Sequence, residues 1–146
     1  MMQLIPVKEH LDENADFAAM PECAESLQMT VDFYKRVGFN PPWISYYVQH
    51  DGKLVGCAAY VGKPNNNRVE IAYAVFTSYQ RQGIGTLIAG MLVDLAKQNE
   101  PSVTVIAHTL PQENFSTKIL QKNQFKLVGT AMDDDEGEVW EWEWQK

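Results

Sequence analysis

The spacing of apolar residues changes several times along the chain, and each change marks an element. The clearest stretch follows Gly83. There Ile84, Leu87, Ile88, Met91, Leu92, Leu95 and Ala96 recur at helical spacing and predict one long amphipathic helix, with Pro101 just past its end. Upstream, Arg68 to Phe76 reads as a strand, and so does Leu54 to Val61. Asp51-Gly52 predicts a hairpin back to a strand over Trp43 to Val48, since both residues accept positive φ. Pro64-Asn65-Asn66-Asn67 reads as a turn. Asp12 to about Val37 is helical in character, with Pro21 breaking it in two and Pro41-Pro42 closing it. Leu27, Val31, Phe33, Tyr34 and Val37 supply the apolar face of the second piece. Leu4 to Val7 is a short strand.

Past the long helix, Val103 to Ala107 is an apolar run of the length of a buried strand. A second helix is predicted over Asn114 to Asn123, then strands over Phe125 to Thr130 and Glu138 to Trp144, joined by the acidic turn Asp133 to Gly137. In the last strand Trp140, Trp142 and Trp144 alternate with Val139, Glu141 and Glu143, which puts all three indoles on one face against a core. The element order predicts an α+β chain with mostly antiparallel strands. With 146 residues, no repeat and no linker, residues 1–146 are expected to form one domain.

Net charge is −7, which argues against nucleic acid and anionic membranes as partners and is compatible with a cationic or amine-bearing substrate, solubility being the plainer alternative. Cys23 and Cys57 are the only cysteines; both lie among apolar residues and read as free thiols of a reducing compartment. His10, His50 and His108 are far apart and no Cys/His spacing suits a metal, so none is expected. The N-terminus lacks the pattern of a signal peptide and no apolar run is of membrane-spanning length, so a cytoplasmic protein is expected.

Candidate chemistry lies where the Arg68–Phe76 strand passes, after Tyr79, into Gln80-Arg81-Gln82-Gly83-Ile84-Gly85 and the long helix. A helix N-terminus carries unpaired N–H groups and a partial positive charge, and glycines there let a phosphate approach. A dinucleotide fingerprint needs a third glycine where Ile88 stands, and a P-loop needs a lysine after Gly85, where Thr86 stands. What remains, Gln/Arg-x-x-Gly-x-Gly after a strand, resembles the coenzyme A loop of the GNAT N-acetyltransferases; two turn glycines before a helix is the plainer alternative. A second block, Glu113-Asn114-Phe115-Ser116-Thr117 through Leu120, Lys122 and Phe125, resembles the "ENxSTxxLxKxxF" block of the RimJ/RimL-like branch. The tail from Asp133 to Trp142 also resembles that branch.

The resemblance implies a three-layer GNAT-like α+β fold. It has a mixed, mostly antiparallel sheet of about seven strands, splayed between strands 4 and 5, with helices on both faces. It implies an enzyme that moves an acetyl group from acetyl-CoA to a primary amine, on a small molecule or a protein N-terminus, by direct attack in a ternary complex. By motif match, backbone N–H groups of Arg81, Gln82, Gly83, Ile84, Gly85 and Thr86 would hold the pyrophosphate. Gln80 takes the position where the family has Gln or Arg. Val75 and Phe76 would pair with the pantetheine arm as an added strand would, and an N–H there could stabilise an oxyanion. Asn114 and Ser116 would line the pantetheine region; both also suit a helix cap. Gln124 stands where the family usually has a glycine at the helix end, and a left-handed backbone there would be mildly strained.

The strand from Glu70 to Val75 resembles the catalytic-glutamate strand of the histone-type GNAT enzymes, which makes Glu70 the candidate general base, with His108 at the end of the fifth strand the second candidate. A strand carboxylate exposed to solvent or paired with Arg68 is the structural alternative. The family's acid, a tyrosine, is matched by Leu120, which has no proton to give, so Ser116 is the candidate replacement. That substitution also leaves open a coenzyme A-binding sensor without turnover. Tyr47 and Trp43 are candidates for the acceptor side, with core packing as the alternative. Dimers are common in the family, and the identity of the acceptor amine is not written in any motif.

Overall fold

The computed structural model describes residues 2–145. The chain begins with β1 (Met2–Pro6), a 3-10 turn, the short α1 (Ala15–Ala18) and α2 (Ala24–Val37). Pro21 opens a second 3-10 turn between the helices, as its missing N–H allows. α2 buries Leu27, Val31 and Tyr34, while Phe33 is half-buried and Val37 is exposed in the last turn. A hairpin follows, β2 (Ser45–His50) to β3 (Lys53–Tyr60), turned by Asp51 at φ 51° and Gly52 at φ 80°. β2 starts at Ser45 rather than at Trp43, because Trp43 and Ile44 donate their N–H groups back to Asn40 and Pro42 in a turn.

β4 (Arg68–Val75) leads through a 3-10 turn to α3 (Ile84–Asn99); β5 (Thr104–Thr109), α4 (Phe115–Lys122), β6 (Phe125–Asp133) and β7 (Gly137–Trp144) complete the chain. α3 buries Ile84, Gly85, Ile88, Ala89, Leu92, Val93 and Ala96, whereas Leu87 is 57% exposed. The buried face is thus turned from the expected stripe toward the small residues, because α3 packs against the sheet and α4 at once. Gln124, just after α4, has φ 70°, a left-handed backbone at the position where the family usually has a glycine.

The seven strands form one sheet in the order β1-β2-β3-β4-β5-β7-β6. Every neighbouring pair is antiparallel except β4 and β5. Those two pair in parallel only from Arg68↔Thr104 to Ile71↔Ala107, after which β4 continues toward Val75 paired with β3 alone. Tyr60 donates its hydroxyl to Leu92 O of α3, and the Lys97 ammonium of α3 sits 5.3 Å from the Trp144 ring centroid. Period-2 alternation then puts Trp140, Trp142, Ile71, Tyr73 and Val75 on this same side of the sheet. The opposite side packs α2 through a 2.7 Å contact of Ser26 Oγ with Tyr47 Oη, and along β4, β5 and β7 it carries Arg68, Glu70, His108, Glu141 and Glu143.

Candidate active site

The divergence of β4 from β5 opens the sheet. Phe76 donates its N–H to Val55 O and Val61 donates to Glu70 O, each at 2.9 Å. Antiparallel ladders alternate, so Glu70, Ala72, Ala74 and Phe76 turn their main-chain polar groups to β3. Ile71, Tyr73 and Val75 turn theirs the other way, and β5 stays in register only as far as Ile71. Of the two residues expected to present a free main-chain edge, Val75 faces the gap and Phe76 spends its N–H on β3. Gln80 Nε2 donates to Val75 O at 3.1 Å, tying the loop to this edge.

A cavity of about 640 Å³ continues the gap. One wall is Val75, Gln80, Arg81, Gly83, Ile84, Gly85 and Thr86; the other is α4, through Phe115, Lys118, Ile119 and Lys122. Gln82 and Phe76 do not line it. Gly83 is the N-cap of α3 with φ 78°, a backbone that favours glycine. Gly85 is constrained differently, since a Cβ there would lie 2.7 Å from Ile119 Cδ1. The Arg81 guanidinium stands 5.3 Å from the Phe115 ring centroid. Three cations and the positive end of a helix therefore surround one cavity, an arrangement suited to an anion.

A smaller cleft, about 130 Å³, lies between β4 and β5 and is lined by Glu70, Tyr73, His108, Thr109, Ser116 and Leu120 among others. Glu70 Oε1 lies 3.4 Å from His108 Nδ1, and His108 Nε2 lies 3.1 Å from Glu141 Oε1. Arg68 holds Glu141 Oε2 at 2.9 Å and Glu143 Oε2 at 3.3 Å. Burial pushes the Glu70 carboxyl above its ordinary range; His108 opposes the shift, and Asp133 and Glu141 add to it. Burial also pushes the Tyr73 phenol up, so it keeps its proton at neutral pH. Asn114 caps α4, its Oδ1 accepting from Thr117 N at 3.1 Å, and is not part of either cavity wall. Ser116, one residue into the helix, reaches the small cleft. Leu120 is fully buried beside it and brings no donor.

The sequence profile of the acetyltransferase (GNAT) family matches residues 9–125. This chain belongs to that family. The GNAT fold accounts for the sheet order and for the parallel, splayed β4 and β5. An aminoglycoside acetyltransferase, AAC(6')-Ib, solved with coenzyme A and kanamycin, superposes with a TM-score of 0.72 at 17% identity, covering 100% of this chain and 95% of that one. RimL, a ribosomal L7/L12 alpha-N-protein acetyltransferase, gives 0.69 at 16%, covering 97% and 91%. A spermidine N-acetyltransferase SpeG chimera of Vibrio cholerae and hSSAT gives 0.70 at 11%, covering 98% and 94%. At such identities these likenesses show the fold.

Within this GNAT chain the remaining candidates fall outside the clefts. Tyr47 is 1% exposed and bonded to Ser26, and Trp43 packs edge-on against Tyr60 with centroids 5.1 Å apart. Tyr47 belongs to the core, and Trp43 is half-buried against it. Cys23 and Cys57 are free thiols. Among the described residues no three His, Cys, Asp or Glu side chains are arranged to hold a metal ion, and no helix is long and apolar enough to cross a membrane. Sequence reasoning missed Tyr73, Lys118, Lys122 and Glu141. The i, i+4 spacing of the two lysines on a short helix was the available signal for that pair. Tyr73 and Glu141 sit on strands 68 residues apart in sequence, and only the sheet order brings them to one gap.

Proposed function

We propose that this GNAT enzyme transfers an acetyl group from acetyl-CoA to a primary amine by direct attack in a ternary complex. The observation that carries the reading is the union of two sites along one gap: an anion-binding loop at one end and a partly buried carboxylate–imidazole pair at the other. When bound, acetyl-CoA supplies the acyl group and a thiolate able to leave. The N–H groups of Gly83 to Thr86, with Arg81, Lys118 and Lys122, bind its phosphates. The Val75 edge orients the pantetheine arm by main-chain pairing. Glu70, its carboxyl pushed above the ordinary range by burial, takes the proton that an ammonium must lose before it can attack. Ser116 and Tyr73 flank the same cleft and carry hydroxyl protons for the departing thiolate.

The motif block from Glu113 to Phe125 and the likeness to RimL favour an acceptor of the RimJ/RimL-like branch, with protein N-terminal amines ahead of small amines. Two measurements test the function. Acetyl-CoA at millimolar concentration raises Tm, as a ligand selective for the native state does. Thiol release across a panel of N-terminal peptides, polyamines and aminoglycosides then identifies the acceptor. A Tm shift with no thiol release from any amine leaves a coenzyme A-binding module; no Tm shift refutes the reading.

A further inference from the structure

The proton arrangement of the small cleft follows from its partners. Glu141 is a carboxylate locked by Arg68 Nη2 at 2.9 Å, so it only accepts. The ring nitrogen 3.1 Å away, His108 Nε2, must therefore carry the hydrogen. In neutral His108 that leaves Nδ1 with a lone pair, 3.4 Å from Glu70 Oε1. When Glu70 is ionised, two electron-rich atoms face each other. A single proton between them removes the conflict, whether it rests on the carboxyl or on Nδ1. The two groups therefore share one site for a proton.

We propose that Glu70 and His108 accept the acceptor's proton as one unit, and that Glu141, held by Arg68, is the positioning residue that turns the His108 lone pair toward Glu70. The groups facing this unit are Arg68 on β4, His108 on β5, Asp133 at the end of β6, and Glu141 and Glu143 on β7. The balance is simple. A substrate ammonium loses one N–H bond, the pair gains one O–H or N–H bond, and solvent later receives the proton. No electrons change hands beyond the bond pairs. The role of the pair in turnover rests on the acyl-transfer reading; the tautomer does not.

E141Q reverses the geometry in a defined way. Arg68 keeps the amide oxygen as its acceptor, so the amide nitrogen faces Nε2 and donates to it. The ring hydrogen then moves to Nδ1, where it stabilises ionised Glu70 and weakens the base. Long-range 1H–15N correlation spectra of histidine-labelled full-length protein, without substrates, read this directly. At a pH high enough to leave the pair without its shared proton, the wild type shows the Nε2–H tautomer of His108, E141Q switches to Nδ1–H, and E141A gives a larger Nδ1–H fraction than the wild type. An Nδ1–H tautomer in the wild type, or one unchanged in both variants, overturns the proposal. With an acceptor in hand, E141Q lowers kcat about tenfold and moves the acid limb of the kcat/KM profile down by about one pH unit, with KM for acetyl-CoA unchanged. A loss of rate with the limb in place overturns the positioning role. Absence of turnover in the wild type defeats the functional reading and leaves the tautomer result standing.

Discussion

Gly85 on α3 lies directly beneath Ile119 on α4, so close that a Cβ on the glycine would come within 2.7 Å of Ile119 Cδ1. The two glycines of the loop therefore do different work. Gly85 lets two helices meet beside the cavity, and Gly83 supplies a left-handed turn with open space around it. Gly83→Ala is expected to cost about 1–2 kcal/mol of stability through backbone strain alone, and to weaken acetyl-CoA binding because the N–H groups shift. Gly85→Val acts by crowding, and Ile119→Ala relieves it. A double-mutant cycle by thermal denaturation checks this: Gly85 and Ile119 couple, Gly83 and Ile119 do not.

Lys118 and Lys122 are exposed cations on the cavity wall. Changing either to Gln is expected to raise the acetyl-CoA Kd severalfold at low salt, with the effect shrinking as ionic strength rises. Calorimetric titrations at two salt concentrations measure this. A loss that ignores salt would mean that the lysines act by packing.

Glu70→Gln removes the proposed base while keeping the shape of the side chain. The rate is expected to fall by about two to three orders of magnitude, with acetyl-CoA affinity retained. Steady-state kinetics beside a binding isotherm separate the two quantities. Tyr73→Phe and Ser116→Ala distinguish the two hydroxyls, and the one that supplies the thiolate's proton shows the larger drop in kcat.

The same carboxyl predicts a pH dependence of stability. Its native pKa is raised by burial, so the folded state binds this proton more tightly than the unfolded state. Stability from this group is full below the unfolded pKa and is lost as pH rises through the native one. Glu70→Gln is therefore expected to raise Tm relative to wild type at neutral pH, with the gap closing as pH falls below the ordinary carboxyl range. Thermal melts across that span decide it.

Trp142 donates its indole N–H to Thr109 Oγ1 at 3.0 Å, buried between β7 and β5 beside the small cleft. Thr109→Val strands that donor and is expected to cost about 1–3 kcal/mol, while Thr109→Ser stays near wild type. Chemical denaturation measures both.

Local patterns were legible wherever one residue type answers one backbone need. Asp51-Gly52 required a hairpin, Asn114 capped a helix, and the glycine loop announced a strand-to-helix turn, because turn and cap chemistry acts within a few residues. The rotation of α3 was not legible. Leu87 fits a helical stripe as well as Ala89 does, and the choice belongs to what packs on either side.

The sequence by itself determined the order of elements and the loop at Gln80 to Thr86, since each is a matter of local spacing and residue chemistry; the candidacy of Glu70 and Ser116 came from the family resemblance of their motifs. Only the tertiary structure decided that β5 leaves β4 after Ile71, freeing the Val75 edge, and that Arg68 and Glu141 stand behind His108. Those relations join residues up to 73 positions apart. They depend on strand order and register, which the sum of long-range packing sets and no short stretch of sequence encodes.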